Sequence, residues 1–313
     1  MNITIPDDYQ DAVRKLECFA KLEAHRVTVF NDSAKDVEEL SRRFHDADAL
    51  VLIRERTEIT DDLLARLPRL KLISQTGRGA THIDLDACKR RNIAVKVGTG
   101  SPYAPAELTW TLILTAMRRV ALEAERLRAG QWQTTLGTSL RGRTLGIWGY
   151  GKIGSLVAGY GRVFGMNVLP WGREGSLLRA RADGYEPAST RTELLEKADV
   201  LSLHLRLTEE TTGIVSAADL AMLKPTALVV NTSRAEIIES GALVAALRNG
   251  RPGYAAVDVF EEEPVFGADH PLLKMDNVLC TPHLGYVEKD SYELYFSQAF
   301  DQVIAFAKQS QSE

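Results

Sequence analysis

The sequence predicts an α/β protein with two domains, each built on a parallel β-sheet that helices cover on both faces. Its 313 residues are more than one typical hydrophobic core accommodates. Short runs rich in Val, Ile and Leu alternate with helical patterns along both parts of the chain, as strands buried on both faces require. A strand, a glycine-rich turn and a helix also follow one another over residues 144–164, which is typical of such sheets.

The composition excludes several classes of protein. Hydrophobic residues make up 45% of the chain and charged residues 26%, which is ordinary for globular domains. A net charge of -4 gives no indication of nucleic-acid or membrane binding, and no apolar run is long enough for a membrane span. Cys18, Cys88 and Cys280 lack metal-ligand spacing, and the first residues do not resemble a signal peptide. We therefore expect a cytoplasmic protein with reduced cysteines and no metal site.

The first part of the chain shows the alternation of strands and helices. Asp61 and Asp62 favour the start of one of its predicted helices, because carboxylates stabilise a helix N-terminus. This alternation predicts one parallel sheet. The predicted strands are residues 26–30, 49–53, 70–74 and 92–95, and the predicted helices are residues 36–44 and 60–67.

A glycine- and proline-rich segment, residues 98–105, marks the predicted crossing into the second domain. Pro105 and Glu107 suit the first turn of a helix, so one long helix is expected from there toward Gly130. A last helix, residues 288–308, carries aromatic residues at helical spacing and is expected to pack on the first sheet. The predicted domains are residues 1–98 with 287–313, and residues 99–286. The second domain's predicted strands are residues 144–148, 167–171, 200–203, 227–231, 255–259 and 277–280.

The glycine-rich turn has the pattern Gly149-Tyr-Gly151-Lys152-Ile153-Gly154 and follows the strand predicted at residues 144–148. Gly149 permits the tight turn, Gly151 lets a pyrophosphate approach the backbone, and Gly154 lets the following helix pack closely on the strand. The following helix, predicted over residues 155–164, points the N–H groups of its N-terminus at the phosphates, and Lys152 and Ile153 of the turn are further expected cofactor contacts. Such a turn can also be purely structural, but its place between a strand and a helix favours a dinucleotide site.

Polar side chains stand at or just after the ends of three later strands: Arg234, Glu263 and His283. In an open parallel sheet, ligands bind beyond the carboxyl ends of the strands. Each residue alone has an ordinary explanation, such as a surface ion pair, a solvated acidic loop or a loop cap. A cation, a carboxylate and an imidazole together, beside a dinucleotide turn, favour a shared active site.

Five motifs in order make the chain resemble the D-isomer-specific 2-hydroxyacid dehydrogenases. Their separations along the chain also agree with that family, and the resemblance covers nearly the whole length. The motifs are Thr76-Gly-Arg-Gly-Ala-Thr-His-Ile-Asp84, the glycine turn at residues 149–154, Asn231-Thr-Ser-Arg234, Val257-Asp-Val-Phe-Glu-Glu-Glu-Pro264 and Thr281-Pro-His-Leu-Gly285.

The resemblance implies that Arg234, Glu263 and His283 are the catalytic residues. Arg234 would grip the carboxylate and keto oxygen of a 2-keto acid with its planar fork of donors. His283 would donate a proton to the carbonyl oxygen as hydride arrives, and Glu263 would fix the imidazole ring and favour its charged form.

The resemblance also implies binding residues on both domains. Substrate carboxylate would be held by the backbone N–H groups of Gly77, Arg78 and Gly79, and Asp258 would hydrogen-bond the nicotinamide carboxamide. Further cofactor contacts that it implies are Thr208, Thr232, Ser233 and Gly285.

The chain departs from the family pattern at three places. Ser101 stands where the family often has Asn, and Tyr286 follows the last motif, where it could enter the substrate pocket or pack under the last helix. At the end of the second nucleotide strand, Gly172 and Arg173 replace the acid that bonds the ribose of NAD. This predicts NADP preference unless Glu174 turns inward or neutralises Arg173.

We therefore predict two Rossmann-like domains with parallel sheets and an active site in the cleft between them. The enzyme would use NAD(P), leaning toward NADP, to interconvert a small 2-keto acid and its D-2-hydroxy acid. Glyoxylate or hydroxypyruvate and D-3-phosphoglycerate are the substrate alternatives. A homodimer is expected, with a contact in the Trp110–Trp132 region. The alternative from another class is a dinucleotide-sensing interaction protein on the same fold.

Overall fold

The computed structural model describes residues 1–309. They form two compact units, one made of Met1–Ser101 with the C-terminal segment from Val287, the other of Pro102–Tyr286. The first unit boundary, between Ser101 and Pro102, falls within the predicted crossing at residues 98–105, and the second lies between Tyr286 and Val287. Strands and helices are numbered below in chain order.

The first unit contains, within the described residues, a parallel sheet of five strands in the order β2-β1-β3-β4-β5. Its helices begin at side-chain caps: Asp36, Thr60 and Asp84 each accept a hydrogen bond from a backbone N–H three residues later. The strands are β1 (Asn2–Ile5), β2 (Arg26–Val29), β3 (Ala49–Ile53), β4 (Leu72–Thr76) and β5 (Ala94–Val97), and the helices are α1 (Val37–Phe44), α2 (Asp61–Ala65) and α3 (Leu85–Arg90).

The second unit, all of which the structure describes, contains a parallel six-stranded sheet in the order β11-β10-β9-β8-β6-β7. The chain runs from β6 to β7 in one direction and then returns to β8 on the other side of β6. Ligands bind at such a reversal, beyond the carboxyl ends of the strands. The strands are β6 (Thr144–Trp148), β7 (Asn167–Trp171), β8 (Val200–Leu203), β9 (Leu228–Asn231), β10 (Tyr254–Val257) and β11 (Val278–Cys280).

Helices cover both faces of the second sheet. Leu228 and Val230 of β9 belong to the core under α4 and α6, whereas Val229 between them belongs to the core under α8, α9 and α10. This alternation is why the first three positions of the strand, before Asn231, are all apolar. The helices are α4 (Tyr103–Met117), α5 (Val120–Arg128), α6 (Lys152–Val163), α7 (Glu174–Ala182), α8 (Arg191–Lys197), α9 (Ala217–Met222) and α10 (Ala242–Arg248).

The last helix, α11 (Lys289–Gln309), packs on the first sheet, mainly against β4. Its aromatic stripe is buried there, including Tyr292, Phe296 and Phe300. The prediction that this stripe covers the first sheet is confirmed.

One predicted element was wrong, and one strand was missed. The single helix expected from Pro105 toward Gly130 is two helices, because Arg119 takes a left-handed conformation (φ 57°) between α4 and α5. Strand β1 was not predicted, since its alternation of Asn and Thr with two Ile residues over four positions is too short a signal. It becomes a strand by pairing with β2 and β3 on either side.

Among the described residues, no helix is long and apolar enough to cross a membrane. In the same part of the chain, no group of His, Cys, Asp and Glu side chains is arranged to hold a metal ion. Cys18, Cys88 and Cys280 are free thiols there.

Candidate active site

The glycine turn between β6 and α6 has the geometry of a phosphate-binding turn. Gly149 has φ +102°, and a Cβ on it would lie 2.5 Å from the carbonyl oxygen of His204. A Cβ on Gly154 would overlap the carbonyl oxygen of Gly149, so both outer glycines are required by packing. A Cβ on Gly151 would meet nothing within 4 Å, so no protein contact requires that glycine. The open space above it and the uncapped first turn of α6, beginning at Lys152 and Ile153, fit a pyrophosphate.

The end of β7 carries Gly172 and Arg173. Nothing within the protein requires Gly172, since a Cβ there would make only ordinary contacts, the shortest 3.7 Å. The Arg173 Nη2 donates a hydrogen bond of 2.6 Å to Glu210 Oε2, and the two side chains are 77% and 78% exposed. The sequence analysis considered Glu174 as the neutralising acid, but Glu174 begins α7 and Glu210 is the partner.

The hydroxyl groups expected to contact cofactor at the end of β9 are engaged within the protein. Thr232 Oγ1 lies 2.7 Å from Thr109 Oγ1, and Ser233 Oγ donates to the carbonyl of Leu203 at 2.7 Å. Thr208 donates its backbone N–H to Thr211 Oγ1 at 2.8 Å. The cofactor contacts of Thr208, Thr232 and Ser233 therefore remain predictions. Such contacts would use backbone groups of these residues, or hydroxyl groups that already make contacts within the protein.

Arg234 follows directly in a turn that Asn231 fixes. Asn231 Nδ2 donates to the carbonyl of Arg234 at 2.8 Å, and its Oδ1 accepts the N–H of Ser233 at 3.0 Å. The half-buried Arg234 side chain donates from Nη1 to the carbonyl of Ser233 at 2.7 Å. This turn holds the guanidinium near the carboxyl ends of the strands, where the sequence predicts the site.

Glu263 and His283 form a short hydrogen-bonded pair. His283 Nδ1 donates to Glu263 Oε2 at 2.6 Å, and Glu263 Oε1 accepts the N–H of Phe260 at 3.0 Å. Burial acts to raise the pKa of Glu263, but the hydrogen bond and charge of His283, the Phe260 N–H and the Arg234 charge together hold it below its ordinary value. Because Nδ1 is engaged, Nε2 is the nitrogen left to meet a substrate.

Asp258 holds the loop that carries His283. Its Oδ1 accepts from Thr281 Oγ1 (2.6 Å) and Leu284 N (2.7 Å), and its Oδ2 accepts from Gly285 N (2.8 Å). Burial raises the pKa of Asp258, against these hydrogen bonds and the nearby charge of His283. Both oxygens of Asp258 therefore already accept hydrogen bonds within the protein. The predicted hydrogen bond to the nicotinamide carboxamide would be an additional one, and it remains a prediction.

Tyr286 packs against the imidazole of His283. Its side chain is only 6% exposed, and the two rings meet edge to face with centroids 5.4 Å apart. The structure therefore places Tyr286 beside His283, the candidate proton donor. The entry of Tyr286 into a substrate pocket stays a prediction.

The predicted carboxylate loop lies in the first unit, where it packs on the end of β3. Gly77 has φ +105°, and a Cβ there would overlap the guanidinium of Arg54. A Cβ on Gly79 would likewise overlap the side chain of Glu55. Arg78, between the two glycines, is exposed. Ser101 donates its backbone N–H to Tyr295 Oη at 3.2 Å. Their substrate contacts remain predictions.

The sequence analysis quoted Asn231, Phe260 and Thr281 within its motifs but missed their role in shaping these turns. Asn231 offered a usable signal, since Asn before Thr-Ser at a strand end is typical of a side-chain-stabilised turn. Phe260 acts through its backbone N–H and Thr281 through a partner 23 residues away, and neither leaves a local pattern.

A parallel sheet with a phosphate-binding turn at its reversal point, and a paired acid and imidazole at neighbouring strand ends, defines a dinucleotide-binding oxidoreductase. Comparison with known proteins agrees. Residues 110–285 match the family profile "D-isomer specific 2-hydroxyacid dehydrogenase, NAD binding domain".

Relatives of the whole chain point to the same family. A glyoxylate reductase of Aeropyrum pernix is 39% identical over 285 residues, which cover 87% of this chain and 83% of that protein. A D-3-phosphoglycerate dehydrogenase of Methanocaldococcus jannaschii is 36% identical over 88% of this chain, but this match spans only 52% of its length. A crystal structure titled phosphoglycerate oxidoreductase, from Vibrio cholerae o395, superposes with a TM-score of 0.96 at 54% identity and covers 99% of each chain.

The chain belongs to the D-isomer specific 2-hydroxyacid dehydrogenase family. It is an oxidoreductase of the class that transfers a hydride between a nicotinamide cofactor and a 2-hydroxy acid/2-keto acid pair.

Proposed function

We propose that Arg234, Glu263 and His283 catalyse the reduction of a small 2-keto acid to its D-2-hydroxy acid. The observation that carries this proposal is the 2.6 Å hydrogen bond between His283 Nδ1 and Glu263 Oε2. It leaves Nε2 directed away from the carboxylate, as a proton donor requires, and the Arg234 charge acts on the same carboxylate.

In this mechanism the nicotinamide, when bound, supplies the hydride. The Arg234 guanidinium binds the substrate through its carboxylate and keto oxygen with two parallel donors. His283 gives its Nε2 proton to the carbonyl oxygen, and takes it back in the oxidation direction. Glu263 keeps the ring oriented and stabilises its positive charge before the proton leaves.

We propose glyoxylate or hydroxypyruvate as the substrate, with D-3-phosphoglycerate as the alternative. Glyoxylate and D-3-phosphoglycerate appear in the names of relatives that share more than a third of their aligned residues with this chain. The test is a panel of glyoxylate, hydroxypyruvate, pyruvate and phenylpyruvate with NADH or NADPH, and D-3-phosphoglycerate with the oxidised cofactors.

His283→Ala should lower kcat on the best substrate by roughly 10²–10⁴-fold while cofactor binding survives. His45→Ala, on an exposed residue at the end of α1, is the matched control and should retain normal kcat. Cofactor binding with no turnover of any substrate would favour the dinucleotide-sensing alternative.

We propose that the enzyme prefers NADP, with Arg173 as the residue that meets the 2′-phosphate. Gly172 offers no carboxylate to repel that group, and Arg173 is highly exposed. Glu210 competes for Arg173 through the 2.6 Å hydrogen bond. Glu210→Gln should therefore raise kcat/KM for NADPH relative to NADH, and Gly172→Asp should lower it. A parent enzyme with strong NADH preference that Glu210→Gln leaves unchanged would contradict the proposal.

We also propose a homodimer that uses the segment following α5. Glu123 accepts hydrogen bonds from Thr134 and Thr135, and this segment carries Trp132 (75% exposed) and Leu136 (96% exposed). An ordered segment with exposed apolar side chains is suited to an interface. Trp110, which the sequence analysis included, packs against Tyr160 and Phe164 within the same unit and is only 8% exposed.

The mass measured by light scattering should be that of a dimer for the parent and of a monomer for a Trp132→Glu/Leu136→Glu variant. Val163→Glu, an 84% exposed position on α6, is the control and should leave the dimer intact. A parent that is monomeric at micromolar concentration would exclude this interface.

A further inference from the structure

A cavity of about 570 Å³ lies in the second unit, between the loop that follows β10 and the segment that leads into α10. Its lining is mixed, and its apolar part includes Leu243 and Val244 of α10 with Val257 at the end of β10 and Val259 just after it. Phe266 stands at its edge and is 71% exposed. The volume is within the range of pockets that hold small organic molecules.

The rim of this cavity is strongly acidic. Four carboxylates line it, from Glu239, Glu261, Glu262 and Asp269, and no Lys or Arg is among its lining residues in the described chain. Lys274, which is outside the lining, pairs with Asp269 at 3.1 Å. His270 lies at 3.3 Å from Glu261, and this imidazole is the sole basic side chain of the lining in that part of the chain. An apolar wall with an anionic rim is complementary to a molecule with an apolar body and a cationic head.

The cavity is separated from the candidate catalytic pair by a single stretch of backbone. Glu261, Glu262 and Pro264 line the cavity, and Glu263 between them hydrogen-bonds His283 and the N–H of Phe260. Anything that displaces this loop by a few tenths of an ångström also displaces the carboxylate that orients the imidazole. Pre-organised hydrogen bonds of this kind are sensitive to such shifts.

We propose that this cavity binds a small organic cation, an apolar or aromatic body carrying a protonated amine, and that its occupation alters the Glu263–His283 pair. The second part of this proposal rests on the proposed function, whereas the binding itself does not. The amine would lie among the rim carboxylates and the body against Val244 and Val257.

The test uses three probes of the same shape: 2-phenylethylamine, 2-phenylethanol and phenylacetate. Titration calorimetry on the full chain at pH 7.5 should give a Kd for the amine at least about tenfold lower than for the neutral alcohol. Phenylacetate should bind more weakly than the alcohol. Equal affinities for amine and alcohol, or no binding of the amine, would overturn the proposal.

Two variants locate the site. Glu262→Gln should weaken amine binding by about two- to fivefold, as expected for one exposed charge, and Val244→Phe should abolish it by filling the cavity. Glu196→Gln, an exposed position on α8, makes the same charge change elsewhere and should leave binding unchanged. Unchanged amine binding in both Glu262→Gln and Val244→Phe would place the amine elsewhere and refute the site.

The coupling to catalysis has its own measurement. Saturating amine should change kcat/KM for the best keto acid by at least about twofold in the parent and leave it unchanged in Val244→Phe. Binding without any change in kcat/KM would refute the coupling and retain the site. Binding by a protein that turns over no substrate would instead contradict the proposed function.

Discussion

Asp258→Asn is the substitution that most directly tests how the loop carrying His283 is held. The carboxylate is fully buried and accepts hydrogen bonds from Thr281, Leu284 and Gly285 at 2.6 to 2.8 Å. Asn has the same shape but one oxygen, so its amide group must face at least one backbone N–H in either orientation. A buried donor left without an acceptor costs about 1–3 kcal/mol.

Removing a buried negative charge offsets part of that loss, since burial raises the pKa of Asp258. We therefore expect the unfolding free energy to fall by about 1–2 kcal/mol, measured by urea denaturation at pH 7. Asp276→Asn, at an exposed position just before β11, is the control and should change it by less than about 0.5 kcal/mol.

The same substitution should lower kcat through His283. Its φ of 52° is uncommon for a residue other than glycine and depends on the surrounding hydrogen bonds. We expect kcat to fall by about tenfold or more in Asp258→Asn, and no further loss when the substitution is made in His283→Ala. An equal loss in both backgrounds, or a normal kcat in the single variant, would refute the argument that Asp258 acts by positioning His283.

Three further predictions concern single positions. Gly154→Ala should destabilise the second unit by about 1–3 kcal/mol in urea denaturation, because the added Cβ would overlap the backbone. Gly159→Ala on the same helix is the control: its Cβ would meet nothing within 4 Å, and it should stabilise the unit by about 0.5–1 kcal/mol. Arg234→Lys should lower kcat/KM at least about tenfold, since lysine lacks paired donors; unchanged kinetics would remove Arg234 from substrate binding. Burial lowers the pKa of His204 from 6.5 to about 4. The unfolded chain therefore takes up a proton at a higher pH than the folded one, and the unfolding free energy should fall by at most about 3 kcal/mol as the pH drops from 6.5 toward 4. His204→Gln should flatten the unfolding free energy over that pH range.

The sequence predicted the sheets well because their strands are buried on both faces. Residues 49–53 are apolar at every position and match β3, and the apolar run at residues 227–230 forms β9 up to its final Asn231. The break between α4 and α5 was not predictable in this way. The residues on both sides of Arg119 favour helix, and only its left-handed conformation separates the two segments.

The candidate site was predictable as far as it depended on strand ends. Arg234, Glu263 and His283 each follow a strand of one parallel sheet, so their proximity follows from topology. The partner of Arg173 was not predictable, since Glu210 lies 37 residues away in a loop whose conformation no local pattern specifies. A surface pair of this kind is decided by tertiary structure alone.

Asn231 and Asp258 show why the turns at this site are built with buried polar side chains. Beyond the last residue of a parallel strand, backbone N–H and carbonyl groups have no neighbouring strand to pair with, and apolar packing cannot satisfy them. Asn231 binds a carbonyl and an N–H of the turn carrying Arg234, and Asp258 accepts two N–H groups of the loop carrying His283. Replacing either by a residue of equal size but fewer acceptors or donors leaves a backbone group unpaired. We therefore expect the geometry of both catalytic candidates to depend on these two side chains more than on the apolar core beneath them.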